Sequence, residues 1–223
     1  MGTAQYYYEQ GNEHLNRGNL DQAISDYTRA LEIDPRYAEA YCNRGVAYLA
    51  KDQYDQAISD YTRVLEIDPR YAEAYYNRGN TYLAKGQYDQ AISDYSRVLE
   101  IDPRDAEAYC NRGVAYADKN QYDQAISDYT RALEVNPRVA EAYCNRGVAY
   151  ADKNQYDQAI SDYTRALEID PCYAEAYCNR GVAYLAKDQY DQGWEDVKKA
   201  QSLGIKADPR FLEDLCKASG RER

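Results

Sequence analysis

An all-α solenoid of antiparallel helix pairs is the fold this sequence predicts, and three observations predict it. The 34-residue stretch Ala38–Tyr71, AEAYCNRGVAYLAKDQYDQAISDYTRVLEIDPRY, recurs without a gap at 72–105, 106–139 and 140–173. A looser copy fills 4–37, and a copy at 174–207 drifts in its second half. Self-similarity at a fixed period of this size marks stacked supersecondary units, each touching chiefly its neighbours. Apolar residues inside the unit then follow helical spacing twice over, and residues that favour turns recur at fixed places between the two runs.

Counting from the alanine of AEAY as position 1, the first helix of each pair (helix A) carries Tyr41, Gly45 and Tyr48 at spacings of four and three, one face of a helix. Position 15 is Gly18, Asp52, Gly86, Asn120, Asn154 and Asp188, all residue types that tolerate a left-handed turn at a helix C-terminus. Helix B follows, with Ala57, Tyr61 and Val64 on its apolar face and Ile58 and Leu65 beside them. Asp55 and its equivalents fall in its first turn, where negative charge suits the helix dipole. The pair Asp68-Pro69 closes helix B, because the residue before proline is pushed out of the α region. No strand signal appears.

Two ends depart from the pattern. In the first unit His14 stands where the others carry tyrosine; a lone histidine without Cys or carboxylate partners at ligand spacing reads as packing. In the last unit Gly193-Trp194 replaces Ala-Ile, and VKKAQSLGIKA replaces the acidic helix end. Beyond it, Phe211, Leu212 and Leu215 stand at helical spacing. The predicted organisation is therefore six repeats over 1–207, then a capping helix and frayed tail over 208–223. A cap has a physical task, since the last repeat would otherwise leave its apolar face wet.

Composition narrows the function. The 223 residues carry a net charge of −11, which argues against nucleic acid and anionic membranes and points to neutral or basic partners. No apolar run approaches a membrane span, and Met1 to Gln10 lacks the charged-then-apolar pattern of a signal peptide. A soluble, cytoplasmic chain is the expectation. Four of the six cysteines, Cys42, Cys110, Cys144 and Cys178, occupy one equivalent position in different repeats. Equivalent helices in a stack lie roughly 8–10 Å apart, too far for a disulfide or a shared metal. Free thiols fit a reducing compartment. With one histidine, no phosphate loop and carboxylates that repeat identically, the sequence predicts neither enzyme nor cofactor.

Positions 4, 8, 11, 20, 24, 27 and 32 read Tyr41, Gly45, Tyr48, Ala57, Tyr61, Val64 and Pro69. This resembles the tetratricopeptide repeat signature, W-x-x-L-G-x-x-Y…A-x-x-x-F…P, over residues 4 to about 203. The resemblance implies a right-handed superhelix whose A helices line a concave, partner-binding groove, and a capped C-terminal end. The chain departs from the family at position 7, where leucine is usual and Arg44, Arg78, Arg112, Arg146 and Arg180 occur. Helix B carries Asp60, Asp94, Asp128, Asp162 and Asp196 just before the packed aromatic, and each arginine is expected to pair with one of them across the helix pair.

The expected function is non-catalytic protein–protein interaction, with a peptide or partner segment in the groove. Position 6 supplies Asn43, Asn77, Asn111, Asn145 and Asn179, interrupted by Glu9 in the first repeat. An amide offers both donor and acceptor, so it can hold one peptide unit without reading its side chain. Helices about 10 Å apart match roughly three residues of extended chain at ~3.3 Å each. The series resembles the asparagine ladder in the superhelix of the O-linked N-acetylglucosamine transferase. The competing reading is that these asparagines bond neighbouring helices or face water. Asn12 and Asn80 at position 9, and Glu73, Glu107 and Glu141 at position 2, complete the candidate lining. Some relatives clamp a C-terminal carboxylate with basic residues, but here those sites hold Tyr8, Glu73 and Asn77, and Glu73 would repel it. The alternative function is a self-assembling homo-oligomeric scaffold built by stacking or swapping of repeats.

Overall fold

The computed structural model describes residues 2–205 and 216–217; the expected cap, with Phe211, Leu212 and Leu215, lies outside the described residues. Twelve α-helices occupy them, with no strand among the described residues. The A helices are α1 (Ala4–Asn16), α3 (Ala38–Leu49), α5 (Ala72–Ala84), α7 (Ala106–Asp118), α9 (Ala140–Asp152) and α11 (Ala174–Ala186). The B helices are α2 (Leu20–Ile33), α4 (Tyr54–Ile67), α6 (Tyr88–Ile101), α8 (Tyr122–Val135), α10 (Tyr156–Ile169) and α12 (Tyr190–Ser202). The chain divides into two compact units, 1–115 and 116–223. In the first, each of α1 to α5 packs on the next helix in sequence, and α1–α3 and α3–α5 also touch. In the second, the same succession runs from α8 to α12, and α9 touches α11.

The turn residues behave as the sequence expects. Asp52, Asn120, Asn154 and Asp188 have φ between 56° and 58°, and Gly18 and Gly86 have 75° and 70°. That left-handed residue lets the next amide turn back on the helix: Gln53 N–H donates to the Tyr48 carbonyl at 2.9 Å, and Gln87 to Tyr82 at 2.8 Å. At the other end of helix B, Asp68 before Pro69 is extended (φ −132°, ψ 99°). Its carboxylate accepts from Arg70 N–H at 2.9 Å, which folds the chain toward the next helix A.

Packing explains the small residues. Ala57, Tyr61 and Val64 are fully buried and meet Cys42 and Ala74 in one cluster; Tyr163, Ala159, Cys144 and Ala176 repeat this in the second unit. A Cβ on Gly45 would stand 2.7 Å from Tyr61 Cε1, and one on Gly147 2.6 Å from Tyr163 Cε1. The glycine is thus required by the flat ring of the helix B tyrosine laid against helix A, and Ala57 keeps the same approach close.

The arginine series pairs as expected where Arg44, Arg78, Arg146 and Arg180 meet Asp60, Asp94, Asp162 and Asp196, each through two parallel hydrogen bonds of 2.7–2.8 Å. Their third nitrogen reaches further. Arg44 Nη1 donates to Thr28 Oγ1 at 2.9 Å, Arg78 to Thr62 at 3.0 Å, and Arg112 to Ser96 at 2.9 Å. One guanidinium therefore links its own helix B to the helix B of the preceding repeat, and it also lies over Tyr41 in the case of Arg44. Burial pushes Asp60 up from the usual carboxylate range against the opposing pull of Arg44.

Candidate functional site

Positions 2, 6 and 9 are four and three residues apart, so they share one face of each A helix. Glu39, Glu73, Glu107, Glu141 and Glu175 are exposed there, one turn before the half-buried Asn43, Asn77, Asn111, Asn145 and Asn179. Asn12 and Asn80 are also half-buried, whereas Val148 and Val182 at the same position are exposed. The ladder residues thus stand on successive A helices with a carboxylate beside each.

Their bonding is not uniform. Asn43 Nδ2 donates to Asn12 Oδ1 at 2.8 Å and to the Tyr8 hydroxyl at 3.2 Å. Asn111 Nδ2 donates to Asn80 Oδ1 at 3.0 Å and to the Tyr76 hydroxyl at 3.1 Å. The buried tyrosines below complete each network: Tyr27 donates to Asn12 Oδ1 and Tyr95 to Asn80 Oδ1, both at 2.7 Å. Asn77 and Asn179 meet sulfur instead, with Nδ2 3.9 Å from Cys42 Sγ and from Cys144 Sγ.

A cleft of about 260 Å³ lies beside this face, lined by Ala72, Glu73, Tyr76, Val98, Asp105 and Glu107. Its three carboxylates give it a negative interior. Tyr76 donates its hydroxyl to Glu107 at 3.2 Å, and Asp105 Oδ1 accepts from Ala108 N–H at 2.9 Å.

Burial holds two of the thiols back as nucleophiles. Among the described residues the cysteines form no disulfide, and burial, reinforced by the nearby Glu73, pushes the Cys42 thiol up to about 12; burial raises Cys144 to about 11. Both stay protonated at neutral pH, and the thiolate is the reactive form. Among the described residues no group of three or more His, Cys, Asp and Glu side chains is placed to hold a metal ion.

Sequence reasoning placed the asparagines and glutamates on this face but passed over position 5. Tyr8 and Tyr76 stand there in the repeats that have asparagine at position 9, and cysteine stands there in the repeats that have valine. That coupling was visible in the sequence once positions 5 and 9 are read together.

Paired helices with a repeating apolar seam and a polar A-helix face define a helical repeat scaffold, a class of protein that binds other proteins. Models of the tetratricopeptide repeat match residues 38–71, 106–139 and 140–171, and further ones match 60–93 and 162–195; a TPR repeat model matches 11–52 and 79–119. The chain belongs to the tetratricopeptide repeat family. Among solved structures it is similar to MamA, at 27% identity over 77% of this chain and 94% of that one with a TM-score of 0.71. A second MamA structure is 31% identical over 71% of this chain and 93% of that one, TM-score 0.68. YrrB, described as a TPR protein with an unusual peptide-binding site, is 27% identical over 86% of this chain and 97% of that one, TM-score 0.70. A search of curated proteins finds no match.

Proposed function

We propose that the chain is a non-catalytic interaction module that holds an extended, neutral-to-basic segment of a partner protein along its A-helix face. The observation that carries this reading is the exposed glutamate set one helical turn from a half-buried asparagine on successive A helices, with the carboxylate-lined cleft at Glu73, Asp105 and Glu107 beside it. Amides supply bonds for a peptide backbone, and carboxylates attract Lys or Arg side chains. Similarity to YrrB, described as having a peptide-binding site, supports the same assignment. No described helix is long and apolar enough to cross a membrane, and the free thiols fit a reducing compartment such as the cytoplasm.

The test is fluorescence-anisotropy titration with a blocked, alternating Lys–Ala peptide of about nine residues, long enough to pass three A helices. Binding that weakens with salt and is abolished by Glu73→Lys with Glu107→Lys supports the reading. Equal binding of the corresponding Asp–Ala peptide, or none of either, overturns it.

A second reading, self-association, is favoured by one observation. Position 3 is a fully buried alanine in every later repeat (Ala40, Ala74, Ala108, Ala142, Ala176), and Ala40 packs on Ala30 and Leu31 of the repeat before it. In the repeat at 4–37 position 3 is instead Tyr6, half exposed, as is Ile33. Sedimentation of the wild type against Tyr6→Lys with Ile33→Lys over a range of concentrations decides it: an association that the variant loses supports it, and a concentration-independent monomer overturns it.

A further inference from the structure

The repeats are of two chemical kinds on the A-helix face. In the first and third, positions 5 and 9 are Tyr8 with Asn12 and Tyr76 with Asn80; in the second and fifth they are Cys42 with Val46 and Cys144 with Val148. In the Tyr/Asn kind, the position-9 amide oxygen lies where two donors converge. Asn12 Oδ1 accepts from Tyr27 at 2.7 Å and Asn43 at 2.8 Å, and Asn80 Oδ1 accepts from Tyr95 at 2.7 Å and Asn111 at 3.0 Å. The position-5 hydroxyl accepts the other amide hydrogen of the same Asn43 or Asn111. Both hydrogens of that amide are thereby spent inside the protein.

In the Cys/Val kind the acceptor is gone. Val46 has no oxygen to offer, the fully buried Tyr61 hydroxyl has no hydrogen-bond partner, and Asn77 Nδ2 meets the Cys42 sulfur at 3.9 Å. Asn179 is placed in the same way against Cys144. Sulfur is a weak acceptor, and burial keeps both thiols protonated. An amide so placed keeps most of its hydrogen-bonding capacity for another molecule.

We propose that the residue pair at positions 5 and 9 decides which amides grip the partner. Asn77 and Asn179, which follow Cys/Val repeats, donate to a backbone carbonyl of the bound segment, whereas Asn43 and Asn111 tie adjacent repeats together and make no essential contact with it. This rests on the peptide-binding reading above. It replaces an evenly spaced ladder with selected rungs: within residues 1–115 the partner's backbone is held at Asn77, between two amides that the protein keeps for itself. The neighbouring exposed Glu73 then favours a Lys or Arg close to that carbonyl.

The test titrates the same Lys–Ala peptide into the full chain and three variants, with thermal unfolding of each measured alongside. Asn77→Ala is expected to weaken binding about tenfold, the loss of one well-placed hydrogen-bonded amide, and to leave the unfolding midpoint in place. Asn43→Ala is expected to keep affinity within about twofold while lowering the midpoint, since it removes both bonds that Asn43 makes to Asn12 and Tyr8 of the preceding repeat. The graft Cys42→Tyr with Val46→Asn converts the second repeat to the Tyr/Asn kind, and is expected to weaken binding about as much as Asn77→Ala, because it withdraws Asn77. Should the graft fail to fold, the comparison of the two single variants still decides. Peptide binding that is lost in Asn43→Ala and retained in Asn77→Ala overturns the proposal while leaving the groove reading intact. Failure of the wild type to bind the peptide overturns the groove reading, and this proposal with it.

Discussion

Arg78 grips Asp94 across a helix pair, Nε to Oδ2 at 2.7 Å and Nη2 to Oδ1 at 2.8 Å, while its remaining nitrogen holds Thr62 of the preceding repeat at 3.0 Å. The carboxylate side chain is only 5% exposed and the guanidinium 17%. At that burial a charge left alone is costly, so Arg78→Ala is expected to lower unfolding free energy by about 3–5 kcal/mol. Replacing both partners, Arg78→Met with Asp94→Leu, is expected to cost markedly less, because no charge is stranded. Urea unfolding of the three proteins measures this. A loss below about 1 kcal/mol in Arg78→Ala would place the pair with exposed ion pairs instead.

The glycine at position 8 gives a steric prediction. A methyl group on Gly45 meets Tyr61 Cε1 at 2.7 Å and Cζ at 2.9 Å, and that ring is fully buried. Gly45→Ala is therefore expected to destabilise by about 1–3 kcal/mol, although alanine is the better helix former. A gain in midpoint on denaturation would show that the ring can move.

The repeat made most of this fold legible in advance. Helix boundaries, the left-handed turn at Asp52 and Asn120, the extended Asp68 before proline and the Arg44–Asp60 pair all follow from residues that recur at one position. A periodic constraint reports itself many times over. What each position read by itself did not show was the difference among equivalent residues. Asn43, Asn77 and Asn111 look alike in sequence, yet their partners lie 31–35 residues back, on the previous helix A, and differ between Tyr8–Asn12 and Cys42. Periodicity finds what repeats share; the candidate site lies in what they do not. The third bond of Arg44, to Thr28, was missed for a related reason: it joins two repeats, and a single repeat read alone does not contain it.

Alkali should act through the buried thiol. The Cys42 thiol titrates near 9 when solvated and is pushed up to about 12 in the fold by burial, then by Glu73. A raised folded-state value means the folded protein holds a proton that the unfolded chain has released. The stabilising contribution is complete below pH 9 and is lost as pH rises toward 12. The stability difference between wild type and Cys42→Ala is therefore expected to move against the wild type across that window, by about 1.4 kcal/mol per pH unit at most. Guanidinium unfolding at half-unit pH steps measures it. A difference that stays constant from pH 8 to 12 would show that the thiol titrates normally.

The two buried tyrosines Tyr61 and Tyr95 occupy the same repeat position but differ in one bond. Tyr95 donates to Asn80 Oδ1 at 2.7 Å, whereas the Tyr61 hydroxyl is buried without a partner. A buried hydroxyl that makes no hydrogen bond has lost its water and gained nothing, a cost of about 1–3 kcal/mol. Removing it should recover some of that cost. Tyr61→Phe is thus expected to be neutral or stabilising, and Tyr95→Phe to destabilise by about 0.5–1.5 kcal/mol, the ordinary net worth of a hydrogen bond. Because Tyr→Phe keeps the ring at each site and both rings are fully buried, each variant removes little besides the hydroxyl. Equal losses in both variants would mean that a water bonds Tyr61.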